Sequence, residues 1–118
     1  MMLQCPDCHK PLETRTFQGV QIDSCPICAG IWFDARELGR IMKAGTHALA
    51  ALEEAVKPAG ERETKPDERL CPVCHVPLHK FRYQYESPIE LDTCASCHGL
   101  WVEDGELAMI QDWLDKQE

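Results

Sequence analysis

Apolar and polar residues alternate with a period of two from Val20 to Ser24. Val20, Ile22 and Ser24 fall on one side, and Gln21 and Asp23 on the other. The pattern returns at Ile89, Leu91 and Thr93. Strict alternation predicts half-buried β-strands, with Gln18-Gly19 and Glu86-Ser87-Pro88 as the turns of two hairpins. A short third strand is expected after each, at Ile31 to Phe33 and at Leu100 to Val102. Beyond these points the period lengthens. Leu38, Ile41, Met42, Ala48, Leu49, Leu52 and Val56 recur at helical spacing, although Gly39 and Gly45 weaken the stripe. A break at Ala44-Gly45-Thr46, with Thr46 capping a second helix, fits the pattern. The second half has a shorter stripe of Leu107, Ile110 and Leu114. Lys57 to Arg69 carries two prolines, one glycine and alternating charge, which predicts a solvated linker.

These patterns are two copies of one unit. CPDCHKPL at Cys5 to Leu12 matches CPVCHVPL at Cys71 to Leu78, an offset of 66 residues. SCPICAGIWFDAREL at Ser24 to Leu38 matches TCASCHGLWVEDGEL at Thr93 to Leu107, an offset of 69. The three extra residues therefore lie in the second hairpin. A self-similar chain with this period is read as tandem repeats of one supersecondary unit.

The repeat fixes the chemistry of the eight cysteines. They form four Cys-x-x-Cys pairs, with 16 residues between Cys8 and Cys25 and 19 between Cys74 and Cys94. Doubled pairs at such a distance are the form of a four-thiolate zinc site. Two cysteines three apart on a tight turn can place both sulfurs on one metal, and two such turns complete a tetrahedron. The metal ligands are therefore Cys5, Cys8, Cys25 and Cys28 for one zinc, and Cys71, Cys74, Cys94 and Cys97 for a second. Four filled positions make each site structural, because a catalytic zinc keeps one position open. A disulfide framework is the rival reading in a secreted chain. Met1 to Gln4 runs straight into Cys5 without the basic and apolar stretches of a leader, so a reducing, cytoplasmic setting is expected. No segment is apolar enough to span a membrane.

Several other residues invite a chemical reading. Gly30 and Gly99 follow the last cysteine of each unit by two residues, which points to a positive φ or a close backbone approach. His9, His75 and His98 each follow a cysteine directly and read as exposed knuckle residues rather than ligands. His47 and His79 have no evident partner. Asp34 and Glu37 are spaced as a capping box at a helix start, with Trp32 and Trp101 packing against helix and ribbon. In His79 to Tyr85 (HKFRYQY), Lys80, Arg82 and Gln84 alternate with Phe81, Tyr83 and Tyr85. Cations and rings then lie on opposite faces, which suits an aromatic core face better than a base-stacking groove.

Charge narrows the function further. The chain carries a formal net charge of −8, and residues 70–118 hold three basic against nine acidic groups. Nucleic-acid binding rests on lysine and arginine neutralising phosphates, so this balance argues against it. No Ser–His–Asp set, phosphate loop or open metal site suggests an enzyme.

The pattern Cys-Pro-x-Cys to Cys-x-x-Cys-x-Gly-x-Trp-x-Asp-x-x-Glu-Leu resembles the transcription-factor-IIB-type zinc-finger domain. The resemblance covers Cys5 to Leu38 and Cys71 to Leu107. Glu103 stands where the family pattern has aspartate. His9, Ala29, His75 and His98 stand where glycine is frequent. It implies zinc binding and a ribbon fold, without an implied activity.

The expected architecture is a small metal-bound α+β chain of two tandem zinc ribbons. These are antiparallel β hairpins with four-cysteine zinc knuckles, each followed by a helix. Residues 1–56 form the first unit, 57–69 the linker and 70–118 the second unit. The expected function is a non-enzymatic interaction, adaptor or regulatory module with two zinc ions per chain. Its partner is a protein, or another copy met through the apolar helix. The alternatives are a nucleic-acid or transcription-associated ribbon and a rubredoxin-like electron-transfer protein.

Overall fold

The computed structural model describes residues 3–43, 47–60, 68–83 and 87–116. Each half opens with a hairpin. In the first, β1 (Glu13–Phe17) pairs antiparallel with β2 (Val20–Ser24). Gln18 and Gly19 both have positive φ, 51° and 80°, the signature of the tight turn whose twist matches the strands it joins. A third strand, β3 (Ile31–Phe33), then pairs with β2. Helices α1 (Glu37–Lys43) and α2 (Ala48–Ala55) follow. The second half repeats the order with β4 (His79–Arg82), β5 (Glu90–Thr93), β6 (Leu100–Val102) and α3 (Glu106–Lys116). The expected helix break at residues 44–46 lies outside the described residues, as do Gln84 to Glu86 of the second hairpin.

The two halves do not sit as beads on a string. β3 and β6 pair antiparallel, with Trp32 opposite Trp101, Ile31 opposite Val102 and Phe33 opposite Leu100. One six-stranded sheet results, ordered β1-β2-β3-β6-β5-β4, with a local twofold axis between the tryptophans. The Cα radius of gyration is 13.5 Å, close to the roughly 13.5 Å of a single domain of this length. The ribbon predicted from spacing is present in both halves; their fusion into one sheet is not visible in it.

Alternation then divides the burial between two faces. Val20, Ile22, Ile31, Phe33, Ile89, Leu91 and Val102 pack with the helices. That layer absorbs Leu38, Ile41, Ala48, Leu49, Leu52 and Val56 from the first stripe and Leu107 and Ile110 from the second. These residues of the two stripes are thus packed within the chain. Glu53 of α2 strengthens the helix layer, because its carboxylate accepts the N–H groups of Gly105 (2.5 Å) and Ala108 (2.7 Å) at the start of α3. A carboxylate there satisfies donors that no helical carbonyl reaches.

The opposite face carries the knuckles and both indoles. Trp32 and Trp101 are fully buried among Cys5, Cys25, Cys71, Cys94 and Leu12, not against the helices as expected. Each indole crosses the axis and lies on a glycine of the other half. A Cβ on Gly30 would overlap the ring of Trp101, and one on Gly99 the ring of Trp32. Neither glycine has a positive φ, so close approach alone explains them.

The capping-box expectation holds in its backward half. The Glu37 carboxylate accepts the Asp34 N–H at 2.6 Å, and Glu106 accepts the Glu103 N–H at 2.6 Å. Between them runs a turn closed by Glu37 N–H to Asp34 O, with Arg36 at φ 88° and its counterpart Gly105 at 94°. Of the aromatic strand, Tyr83 is buried but Phe81 is 43% exposed, because β4 is an edge strand with all four residues exposed. Tyr85 lies outside the described residues.

Gly30→Ala and Gly99→Ala are each expected to destabilise by about 3 kcal/mol, since the ring they strike is part of a filled layer. Gly39→Ala, in an exposed helix position with nothing within 4 Å, should be neutral or stabilising by up to about 1 kcal/mol. Denaturant midpoints of the zinc-loaded variants check both.

Candidate metal centres

Every knuckle is built the same way. The residue after the second cysteine returns its N–H to the carbonyl of the first: His9 to Cys5, Ala29 to Cys25, His75 to Cys71 and His98 to Cys94, at 2.8 to 3.0 Å. That closure requires a left-handed backbone, and all four residues have φ of 61° or 62°. Glycine is the natural occupant, and another residue costs about 1 kcal/mol or more. The three histidines are exposed at these tips and belong to neither sulfur cluster, as their position in sequence suggests.

The closed turn aims amides at the first sulfur. Cys5 Sγ accepts from the N–H groups of Asp7 (3.4 Å) and Cys8 (3.2 Å), and Cys71 Sγ from those of Val73 (3.3 Å) and Cys74 (3.2 Å). The Cys28 N–H donates to Cys25 Sγ at 3.5 Å, while those of Ser96 and Cys97 donate to Cys94 Sγ at 3.3 and 3.5 Å. Such bonds spread the charge of a thiolate that has lost its proton to a metal.

The hairpins bring the knuckles together in pairs. Cys5, Cys8, Cys25 and Cys28 form one cluster and Cys71, Cys74, Cys94 and Cys97 the other, with ligand atoms within 4.8 Å of one another. None of the eight is in a disulfide. A tetrahedron with Zn–S bonds of about 2.3 Å needs sulfurs about 3.8 Å apart. Cys5 and Cys28 are 3.9 Å apart, and Cys71 and Cys97 3.7 Å. Each set of four sulfurs can therefore hold a zinc ion, and no fifth group is needed.

Crowding of four sulfurs perturbs their protons. The hydrogen bond with Cys28, and then burial, push the Cys5 thiol up, and the same bond brings Cys28 down to about 5. Burial pushes Cys8 and Cys71 up to about 12. Zinc binding must expel these protons, because only thiolates ligate.

The sequence matches the transcription factor zinc-finger (TFIIB-type zinc ribbon) family over residues 4–44 and again over 70–112. The chain belongs to that family, in two tandem copies. Comparison with curated proteins and with solved structures finds no match. The family matches fall on the two sulfur clusters and the strands between them. The helix α2 lies outside both, so it is an addition to the first ribbon. Among the described residues no helix is long and apolar enough to cross a membrane.

One buried group carries no signal in the sequence. Arg69, which composition places at the end of a solvated linker, is only 7% exposed. Its Nε donates to Asp7 Oδ1 at 2.6 Å and one Nη to Asp92 Oδ2 at 2.5 Å, while the other Nη faces the Glu103 carboxylate. Asp7 Oδ2 also accepts Trp101 Nε1 at 3.3 Å. Asp7 belongs to the first knuckle of one ribbon and Arg69 precedes the first knuckle of the other, so the network ties the two metal centres across the axis. Alternation with buried Leu91 would turn Asp92 to solvent; the buried cation is what draws it in. Removing the charge leaves three carboxylates facing one another, so Arg69→Met should cost about 3–5 kcal/mol. Chemical denaturation of the zinc-loaded protein measures it.

Zinc occupancy should depend on pH with a definite sign. The thiols raised to about 12 hold their protons throughout the neutral range, so each zinc displaces at least one. Apparent affinity should then rise with pH by about tenfold or more per unit between pH 6 and 8, and fall on acidification. Competition with a chromogenic chelator reads the slope. Excess chelator at neutral pH should unfold the chain, seen as loss of tryptophan burial. Cys25→Ser with Cys28→Ser should weaken zinc at the intact second site, because the sheet is shared.

Proposed function

We propose that this chain is a non-enzymatic, zinc-stapled interaction module whose partner is a protein with a basic surface. The observation that carries the reading is the pairing of two sulfur-filled metal clusters with a strongly acidic surface. Four sulfurs per ion leave no position for water or substrate, so the metal supplies folding free energy rather than chemistry. Part of the acidic excess of the second half is at the surface. Asp104, Asp112 and Asp115 are exposed or half-exposed around the N- and C-terminal turns of α3. A cytoplasmic setting accords with eight free thiols, which an oxidising compartment would not keep.

Self-association through the apolar helix is less favoured in this reading, since Leu38, Ile41, Ala48, Leu49, Leu52 and Val56 are packed in the core. The partner must therefore be met on the sheet edges, the knuckles or the acidic faces of the helices. A transcription-associated ribbon remains the rival because of the family to which the chain belongs. The two are separated by direct binding. The zinc-loaded chain should bind a basic protein in a pull-down with purified components, with affinity falling as salt rises. It should leave single- and double-stranded DNA and RNA unshifted at low salt. Retardation of any nucleic acid that weakens steeply with salt would reverse the assignment.

A further inference from the structure

The twofold relation of the ribbons permits a residue-by-residue comparison of the Arg69 network with its counterpart in the first half. The offsets of 66 and 69 pair Arg69 with Leu3, Asp7 with Val73, Asp92 with Asp23 and Glu103 with Asp34. Backbone bonding supports the pairing. Leu12 N–H donates to Leu3 O at 2.7 Å, as Leu78 N–H does to Arg69 O at 2.8 Å. Asp23 faces Trp32 across the strands, as Asp92 faces Trp101.

Both carboxylates are thus present in the first ribbon, but Leu3 stands at the position of the cation. Among the described residues no lysine or arginine pairs with Asp23 or Asp34. Asp23 accepts only the hydroxyl of Thr14 among the described side chains, at 2.8 Å. Solvent reaches the place that Arg69 closes on the other side, because Asp34 is exposed and Asp23 half-buried while Asp92 is buried. A second sign is Trp32 Nε1, fully buried and without an acceptor, where Trp101 Nε1 has Asp7. By the twofold relation that N–H points toward the site of Val73, which is 46% exposed.

We propose that this vacant counterpart is a binding slot for the arginine side chain of a protein partner. Asp23 and Asp34 hold the guanidinium, as Asp92 and Glu103 hold that of Arg69. Leu3 and Val73 flank the aliphatic stem, and the guanidinium lies beside the buried Trp32 indole. Arginine is favoured over lysine because a planar fork can bridge two carboxylates at once. The slot rests on the interaction-module reading and names the chemistry by which a basic partner would be recognised.

The test uses the full zinc-loaded chain and a short, end-capped peptide of glycines around one arginine, followed by two-dimensional NMR. The peptide should shift the Trp32 indole resonance, and a lysine peptide should bind several-fold more weakly. Asp23→Asn with Asp34→Asn should weaken binding about tenfold or more. Leu3→Arg, which supplies an internal guanidinium, should block the peptide and raise the melting temperature; it carries the test if the double variant fails to hold zinc. A Trp32 resonance that does not move overturns the slot, as does undiminished binding in both variants. If the double variant still captures a basic protein as well as the parent does, the slot falls and the module reading stands. If the parent captures none, the module reading itself falls.

Discussion

Each indole rests on a bare glycine of the opposite ribbon, and this reciprocal seating governs the molecule. Trp32 and Trp101 face each other across β3 and β6. Their rings reach over the axis to Gly99 and Gly30, where a single methyl would obstruct them. Buried aromatic area of this kind is a large share of what a chain of 118 residues can gather. The seating also fixes register. A shift by one residue along the central pair would leave the two rings on opposite faces of the sheet and bring a neighbour such as Ile31 or Val102 to the knuckles.

Metal and indole support one another. A ribbon near fifty residues has too thin a core to hold itself, and zinc supplies the difference. The knuckles in turn form the floor beneath the rings, since Cys5, Cys25, Cys71 and Cys94 lie in the same buried layer. Loss of metal therefore removes more than two cross-links; it removes one wall of the tryptophan layer. The Asp7–Arg69 pair spans the same layer and joins the two knuckles electrostatically.

Local features of the fold are legible from the residues. Period-two alternation locates β2 and β5, the short third strands β3 and β6 follow each hairpin as expected, and cysteine spacing groups the sulfurs that the hairpins bring together, because all depend on near neighbours along the chain. What escapes is everything set by the second ribbon. Nothing near Arg69 in sequence marks it as buried; its three carboxylates come from positions 7, 92 and 103. The same holds for Trp32 and Trp101, which sequence proximity directs to the helices. Gly30 and Gly99 signal a tight approach without revealing what approaches. Strand alternation alone places Phe81 in the core, a pattern blind to the absence of a cover over an edge strand.

The order β1-β2-β3-β6-β5-β4 has a consequence for how the chain is made. As synthesis proceeds from the N-terminus, the first ribbon can take its metal once Cys28 has emerged, yet the open side of β3 stays unpaired until Val102 follows. Over that interval a row of backbone donors and acceptors, beside an uncovered Trp32, faces whatever is nearby. The nascent first ribbon is thus a sticky intermediate whose proper mate is still unmade, and swift arrival of the second half is what protects it from the wrong one.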